Sequence, residues 1–306
     1  MRVKTKWLLL LTWAAFVSCS NSAEQFYKQG IEKMRAEDFE GALSKFDSSL
    51  LLDDQNMMAF FNRGNARFDL SDFEGSLEDY NKAILLTPKN SIRPIAYLNR
   101  ADTYWELREY DSAMRDYNRA LELQPTYDSA LVGRGKTYLS RGDFQQAQTD
   151  LEKAIRLNPN SALGHYALGD VYSDQKNYER CIAEYSKAIE LVPNEVTYVL
   201  DRGDAYYMSG KFEPAIADYT RAIGLDPFEP RNYVLRGDAL DDAGKPSDAI
   251  ANYNKAIELD PNYSSAYYNR GITRMNMGEK NGGCEDFKKA VDMGMKLEID
   301  YANACK

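Results

Sequence analysis

Residues 128–161, DSALVGRGKTYLSRGDFQQAQTDLEKAIRLNPNS, decide the fold, because their punctuation recurs along most of the chain. Gly135 returns as Gly169, Gly203, Gly237 and Gly271, while Pro125, Pro159, Pro193, Pro227 and Pro261 form a second ladder; both advance by 34 residues. A fixed step of that size marks stacked supersecondary units that bury their apolar faces against one another. Numbered from Asp128, the unit puts Leu131, Gly135 and Tyr138 at positions 4, 8 and 11, one face of a first helix. Gly142-Asp143 breaks that helix. Ala147, Leu151 and Ala154, at positions 20, 24 and 27, form the stripe of a second helix, which Pro159 stops because proline has no N–H and clashes with the preceding turn. Small residues at positions 8 and 20 allow two helix backbones to approach closely.

Position 24 reads Phe46, Tyr80, Tyr117, Leu151, Tyr185, Tyr219, Tyr253 and Phe287; position 27 reads Ser49 and then Ala83, Ala120, Ala154, Ala188, Ala222, Ala256 and Ala290. Small at 8, aromatic at 11 and 24, Ala at 20 and 27 and Pro at 32 is a pattern that resembles the tetratricopeptide repeat. The resemblance covers residues 23–297 in eight copies: 23–56, 57–90, 94–127, 128–161, 162–195, 196–229, 230–263 and 264–297. It implies an all-α fold, a right-handed superhelical solenoid of helix-turn-helix units without strands.

A hydrophobic content of 44% is ample for a continuous core, and the unbroken period argues for one solenoid rather than two globular domains. Residues 1–18 read as an export signal: Arg2, Lys4 and Lys6, then the apolar run Trp7–Val17, too short to span a bilayer. Removing that segment takes the formal charge from −9 to −12, a balance that disfavours nucleic acid and anionic membrane surfaces as partners. Phe16-Val17-Ser18-Cys19 resembles a bacterial lipoprotein box, with Phe16 in place of the usual leucine. The resemblance implies that Cys19 is the acylated N-terminus, that residues 19–22 are a tether, and that lipid is the protein's contact with an envelope membrane, facing the periplasm. The alternative is an ordinary signal cut after Ser20 or Ala23 and a soluble exported protein.

Several copies depart from the pattern. Repeat 1 has Asp54 for the proline, and repeat 3 has Ala101 for the glycine, after three extra residues, Ser91-Ile92-Arg93. Cys181 replaces the alanine at position 20 of repeat 5, as a small core residue. Pro246 stands at position 17 of repeat 7, where the start of a helix tolerates it. Repeat 8 ends on Gly294, and residues 298–306, following Leu297, form a tail that reads as a short capping helix. In an oxidising compartment an antiparallel return of this tail brings Cys305 within bonding range of Cys284; two free thiols are the alternative.

No HExxH, CxxC, GxSxG, GxGxxG or GxxxxGK[ST] is present, so no cofactor or metal is implied and catalysis is not expected. The single histidine, His165, reads as a packed imidazole at position 4. Arg63, Arg100, Arg134, Arg202, Arg236 and Arg270 share position 7, and Asp79, Asp116, Asp150, Glu184, Asp218 and Asp286 share position 23. They read either as an anion-binding ladder or, favoured by their matched frequency, as arginines packed between helices and paired with the acids.

In the family that this chain resembles, first helices line a concave groove through positions 2, 5, 9, 12 and 13. Carried over, these positions give Asp102, Asp170, Asp204 and Asp238 at position 9, with Glu106, Asp174, Asp241 and Asp242 at 12 and 13. Apolar position 5, from Phe61 and Leu98 to Tyr166 and Tyr268, lies alongside, and Trp105 and Tyr207 complete the aromatic members. Such a groove suits a basic, partly apolar protein segment, whereas a solvated acidic face is the alternative. The acidic chaperone tails that some members clamp are disfavoured, because the inward cations are missing. The expected role is a non-catalytic adaptor, like bacterial tetratricopeptide lipoproteins of envelope machinery; an accessory subunit of an envelope enzyme, an enzyme without a recognisable motif, and a structural spacer are the alternatives.

Overall fold

A computed structural model describes residues 22–87 and 92–296, together with Cys305. The export signal, Cys19 and the capping helix therefore lie outside the described residues, Cys305 apart. Sixteen helices and no strand occur among the described residues. Two compact units divide at Pro159 and Asn160. In the first, α1 (22–35) is followed by α2 (Phe39–Leu52), and α3 (Met57–Asp69), α5 (Arg93–Glu106) and α7 (Asp128–Ser140) pair with α4 (Phe73–Leu86), α6 (Tyr110–Leu123) and α8 (Phe144–Leu157). In the second, α9 (Ala162–Asp174), α11 (Val196–Met208), α13 (Pro230–Asp242) and α15 (Ser264–Asn276) pair with α10 (Tyr178–Leu191), α12 (Phe212–Leu225), α14 (Pro246–Leu259) and α16 (Lys280–Asp292).

The helices begin and end where local chemistry requires. First helices occupy positions 1–13 and second helices positions 17–30, except that α1 and α5 start one residue early and α16 ends one residue early. Asn56 and Ser161 cap α3 and α9 by accepting from the Ala59 and Gly164 amides at 3.0 and 3.1 Å. Asp38 and Asp72 cap α2 and α4 in the same way. Pro246 opens α14, where a missing N–H costs nothing. Between the helices of every hairpin, position 15 takes a left-handed φ: Gly142, Gly210, Gly244 and Gly278, but also Glu37, Ser71, Arg108 and Lys176, at 56° to 62°. Glycine adopts this conformation without strain, and the four side-chain residues do not.

Inside six of the hairpins the position-24 ring fills the hole left by the glycine at position 8, and in the fourth repeat Leu151 fills the one at Gly135. A Cβ on Gly169 would lie 2.5 Å from the Tyr185 ring, and one on Gly237 2.5 Å from Tyr253. Ala42, Ala113, Ala147, Ala215 and Ala249 at position 20 are fully buried, and so is Cys181, whose thiol burial pushes up to about 12. Cys181 is therefore a small core residue and no nucleophile at neutral pH.

Candidate functional site

Five of the six arginines of position 7 form bidentate pairs with the aspartates of position 23, and Arg236 donates from Nε to Asn252 at 2.8 Å instead. Arg134 donates from Nε and Nη2 to Asp150 at 2.6 and 2.8 Å, and Arg63–Asp79, Arg100–Asp116, Arg202–Asp218 and Arg270–Asp286 repeat the fork. The remaining Nη1 reaches back to position 25 of the preceding repeat: Asp47, Asn81, Asn118, Ser186, Thr220 or Asn254. Arg63, Arg100, Arg236 and Arg270 also lie over the position-4 rings of Phe60, Tyr97, Tyr233 and Tyr267 at 5.3–5.8 Å. Each guanidinium clasps two repeats, so these cations are structural and leave no ladder for an anion. Repeat 5 has Leu168 at position 7, and there His165 Nδ1 lies 2.7 Å from Glu184. The lone histidine stands in for the missing arginine.

The aspartates of position 9 are not simple solvated carboxylates. Tyr117 donates its hydroxyl to Asp102 at 2.6 Å, Tyr185 to Asp170 at 2.7 Å, Tyr219 to Asp204 at 2.6 Å and Tyr253 to Asp238 at 2.9 Å. In repeat 2 an amide does the same work: Tyr80 donates to Asn65 Oδ1 at 2.8 Å. Burial pushes the carboxyls of Asp102 and Asp238 up to about 6, despite the opposing tyrosine hydrogen bonds. The sequence held the signal for this coupling. Every copy with Tyr at position 24 has Asp or Asn at position 9, whereas Phe46, Leu151 and Phe287 go with Ile31, Lys136 and Ile272.

Position 5 corrects the expected groove. Phe61, Leu98, Val132, Leu200 and Val234 are buried, because these side chains pack into the core beside the position-24 residues. Tyr166 and Tyr268 remain half-buried: Tyr166 stacks on Tyr198 at 4.5 Å and donates to Asp201 at 2.6 Å, and Tyr268 packs 5.8 Å from Phe287. Trp105 is brought beside Asp102 in the first unit, under Lys136 Nζ at 4.1 Å from the ring centroid, and its Nε1 has no acceptor. Lys136 is a cation at position 9 that sequence reasoning passed over.

Within the second unit, Tyr207, Asp238, Asp241, Asp242, Tyr253, Asn269 and Ile272 line an open cavity of about 240 Å³. Its carboxylates are held by neutral donors: Asn269 and Tyr253 on Asp238, Thr273 on Asp241 at 2.9 Å and Tyr207 on Asp242. In the first unit, a cavity of about 360 Å³ is lined by Met34, Asn65, Phe68, Asp69, Tyr80, Asn99 and Asp102. No group of three or more metal-ligating side chains occurs among the described residues. Cys284 and Cys305 are joined as a disulfide, with their Cα atoms 5.5 Å apart.

Stacked helical hairpins with clasped backs and polar first-helix faces define a helical-repeat scaffold. Family models for the tetratricopeptide repeat match residues 27–91, 94–127, 135–176, 169–210, 197–229 and 237–278, and the chain belongs to that family. Its fold is therefore that of a protein–protein interaction scaffold. A tetratricopeptide repeat protein from Parabacteroides merdae is 22% identical over 89% of this chain and 99% of its own, with a TM-score of 0.60. The C-terminal part of a repeat protein from Cytophaga hutchinsonii is 19% identical over 80% and 99%, with a TM-score of 0.64. YrrB, a repeat protein with an unusual peptide-binding site, is 23% identical over 62% and 96%, at 0.53. No curated protein matches the chain.

Proposed function

We propose that this protein is a non-catalytic adaptor of a bacterial cell envelope, anchored through an acylated Cys19, that grips a basic, partly apolar segment of a partner protein along the first helices of its second unit. One observation carries the binding half of this reading. The position-23 aspartates are neutralised by the chain's own arginines, whereas Asp201, Asp238, Asp241 and Asp242 are held by tyrosine, asparagine and threonine donors. Neutral donors fix carboxylates in place and leave their charge for a partner. Arg231, 3.9 Å from Asp204, is the cation that intrudes. Tyr166, Tyr207 and Tyr268 supply apolar surface beside the acids, and YrrB lends a precedent for peptide binding on this fold. The disulfide between Cys284 and Cys305 is consistent with export to an oxidising compartment.

The test uses the substitution that the protein itself contains. Asn65 accepts from Tyr80 as the aspartates do from their tyrosines, so Asp201→Asn/Asp238→Asn/Asp242→Asn removes three charges and keeps the hydrogen bonds from Tyr166, Tyr253 and Tyr207. Capture of a partner from detergent-solubilised envelopes should fall and lose much of its salt dependence. Undiminished capture by the triple variant would reduce the acidic row to solvated surface.

A further inference from the structure

Position 30 is leucine in seven copies, from Leu52 to Leu259, and its partial exposure belongs to the repeat. Position 29 behaves differently. Repeats 1 and 2 carry Leu51 and Leu85 there, 87% and 75% exposed, where later copies carry Glu122, Arg156, Glu190, Gly224, Glu258 and Asp292. Two bare leucines on consecutive second helices, at one repeat position and in these copies alone, require a reason that the fold does not supply.

Their place supplies one. Ser49 Oγ donates to the Ala23 carbonyl at 2.8 Å, which fixes the start of α1 against the last turn of α2, the turn that carries Leu51. Thr87 Oγ1 likewise meets Met57 Sδ at 3.5 Å, joining the end of α4 to the start of α3 at the same edge of the hairpins. Cys19 precedes Ser22 by three residues, so its sulfur can lie no farther than about 10–15 Å from the start of α1. Any lipid on Cys19 is thus confined to the edge at which both leucines are exposed.

We infer that Leu51 and Leu85 form a membrane-docking edge that enters the lipid interface beside the acyl chains of Cys19. This inference rests on the anchored reading above and extends it, because the lipid alone would leave the array free to pivot on its tether. Two leucines set the orientation, holding the first repeats against the membrane. The occupant is a lipid surface rather than a protein because the chain leading to the edge is short and, in that reading, ends in acyl chains. The mature chain's acidic balance makes the contact one of apolar insertion, not of attraction to anionic lipid.

Trp7, Trp13 and Trp105 are the only tryptophans, so the chain beyond the signal has one, and a Trp105→Phe background allows a single reporter. Chains beginning at Cys19 are coupled through that thiol to a maleimide phospholipid in phosphatidylethanolamine–phosphatidylglycerol vesicles with brominated acyl chains. Emission of the Leu51→Trp and Leu85→Trp variants should shift to the blue and be quenched, while Glu122→Trp and Glu190→Trp should match vesicles without bromine. With a single acyl chain in place of the phospholipid, Leu51→Ser/Leu85→Ser should partition onto vesicles about tenfold or more weakly than the parent. Unquenched emission at 51 and 85, equal partitioning, or protection of these sites by envelope proteins but not by lipid would overturn the docking edge. The mass of the N-terminal fragment from cells tests the anchor separately: an unacylated Cys19 would refute the anchor, and with it the docking in the cell, whatever the vesicles show.

Discussion

Replacing Asp102 by Asn should stabilise the protein at neutral pH, although it removes a hydrogen-bonded carboxylate from a well-packed site. The Tyr117 hydroxyl donates to Asp102 Oδ1 at 2.6 Å, and an asparagine carbonyl accepts equally well, as Asn65 does from Tyr80 at 2.8 Å. The variant loses the burial penalty on the charge and, with it, the smaller attraction of Lys136 that partly offsets that penalty. The net of these effects, with burial the largest, raises the carboxyl from 3.8 to about 6, a gap equivalent to about 3 kcal/mol on the charged form. Relaxation and water entry reduce such figures, so about 1–2 kcal/mol is expected, or several degrees in melting temperature. The sign follows from proton binding. Between pH 4 and 6 the folded state keeps a proton that the unfolded chain has lost, so the parent weakens as pH rises through that window. The Asn variant lacks this slope; its advantage should be absent near pH 4, grow to pH 6 and then stay constant. Urea unfolding of both proteins at half-unit steps measures the difference. A variant less stable than the parent at pH 7.5, or a difference independent of pH, would refute the reasoning.

Four other substitutions or treatments probe the frame. Ala249→Phe, at a fully buried position 20, should overpack the α13–α14 hairpin and cost roughly 1–3 kcal/mol or more, read in a circular dichroism melt. Lys176→Gly, at a φ of 57°, should raise the melting temperature by relieving about 0.5–1 kcal/mol of strain, while Gly210→Ala at 74° should lower it. Reducing the Cys284–Cys305 bond, with a sequence separation of 21, should cost about 3 kcal/mol on the chain-entropy model. Hydrogen exchange should then quicken in α15 and α16 and stay unchanged in α1–α8.

The architecture was legible because periodicity and punctuation are local. The glycine and proline ladders placed the hairpins, and helices fall on positions 1–13 and 17–30, with two starts and one end displaced by a residue. Side-chain partnership was legible only where both partners recur at matched frequency. The arginines of position 7 and the acids of position 23 met that condition, and they pair. Position 9 met it too, but its partner was the tyrosine of position 24, already accounted for as a core ring. A residue counted once as packing is seldom asked what its hydroxyl does, although a buried phenol requires a partner. Position 5 misled for the opposite reason. A first-helix position one turn before position 9 was assigned to the groove with it, yet the close approach permitted by position 8 draws that turn into the core. What the acidic face keeps for a partner is therefore narrower than its residue count suggests. Charge held by neutral donors remains available, and charge clasped by arginine does not. On that criterion the second unit, with Asp201, Asp238, Asp241 and Asp242, is where a basic segment should bind. In the first unit Lys136 stands at position 9, over Trp105 and near enough to Asp102 to oppose the upward push of burial on that carboxyl. A basic segment has correspondingly less to gain there.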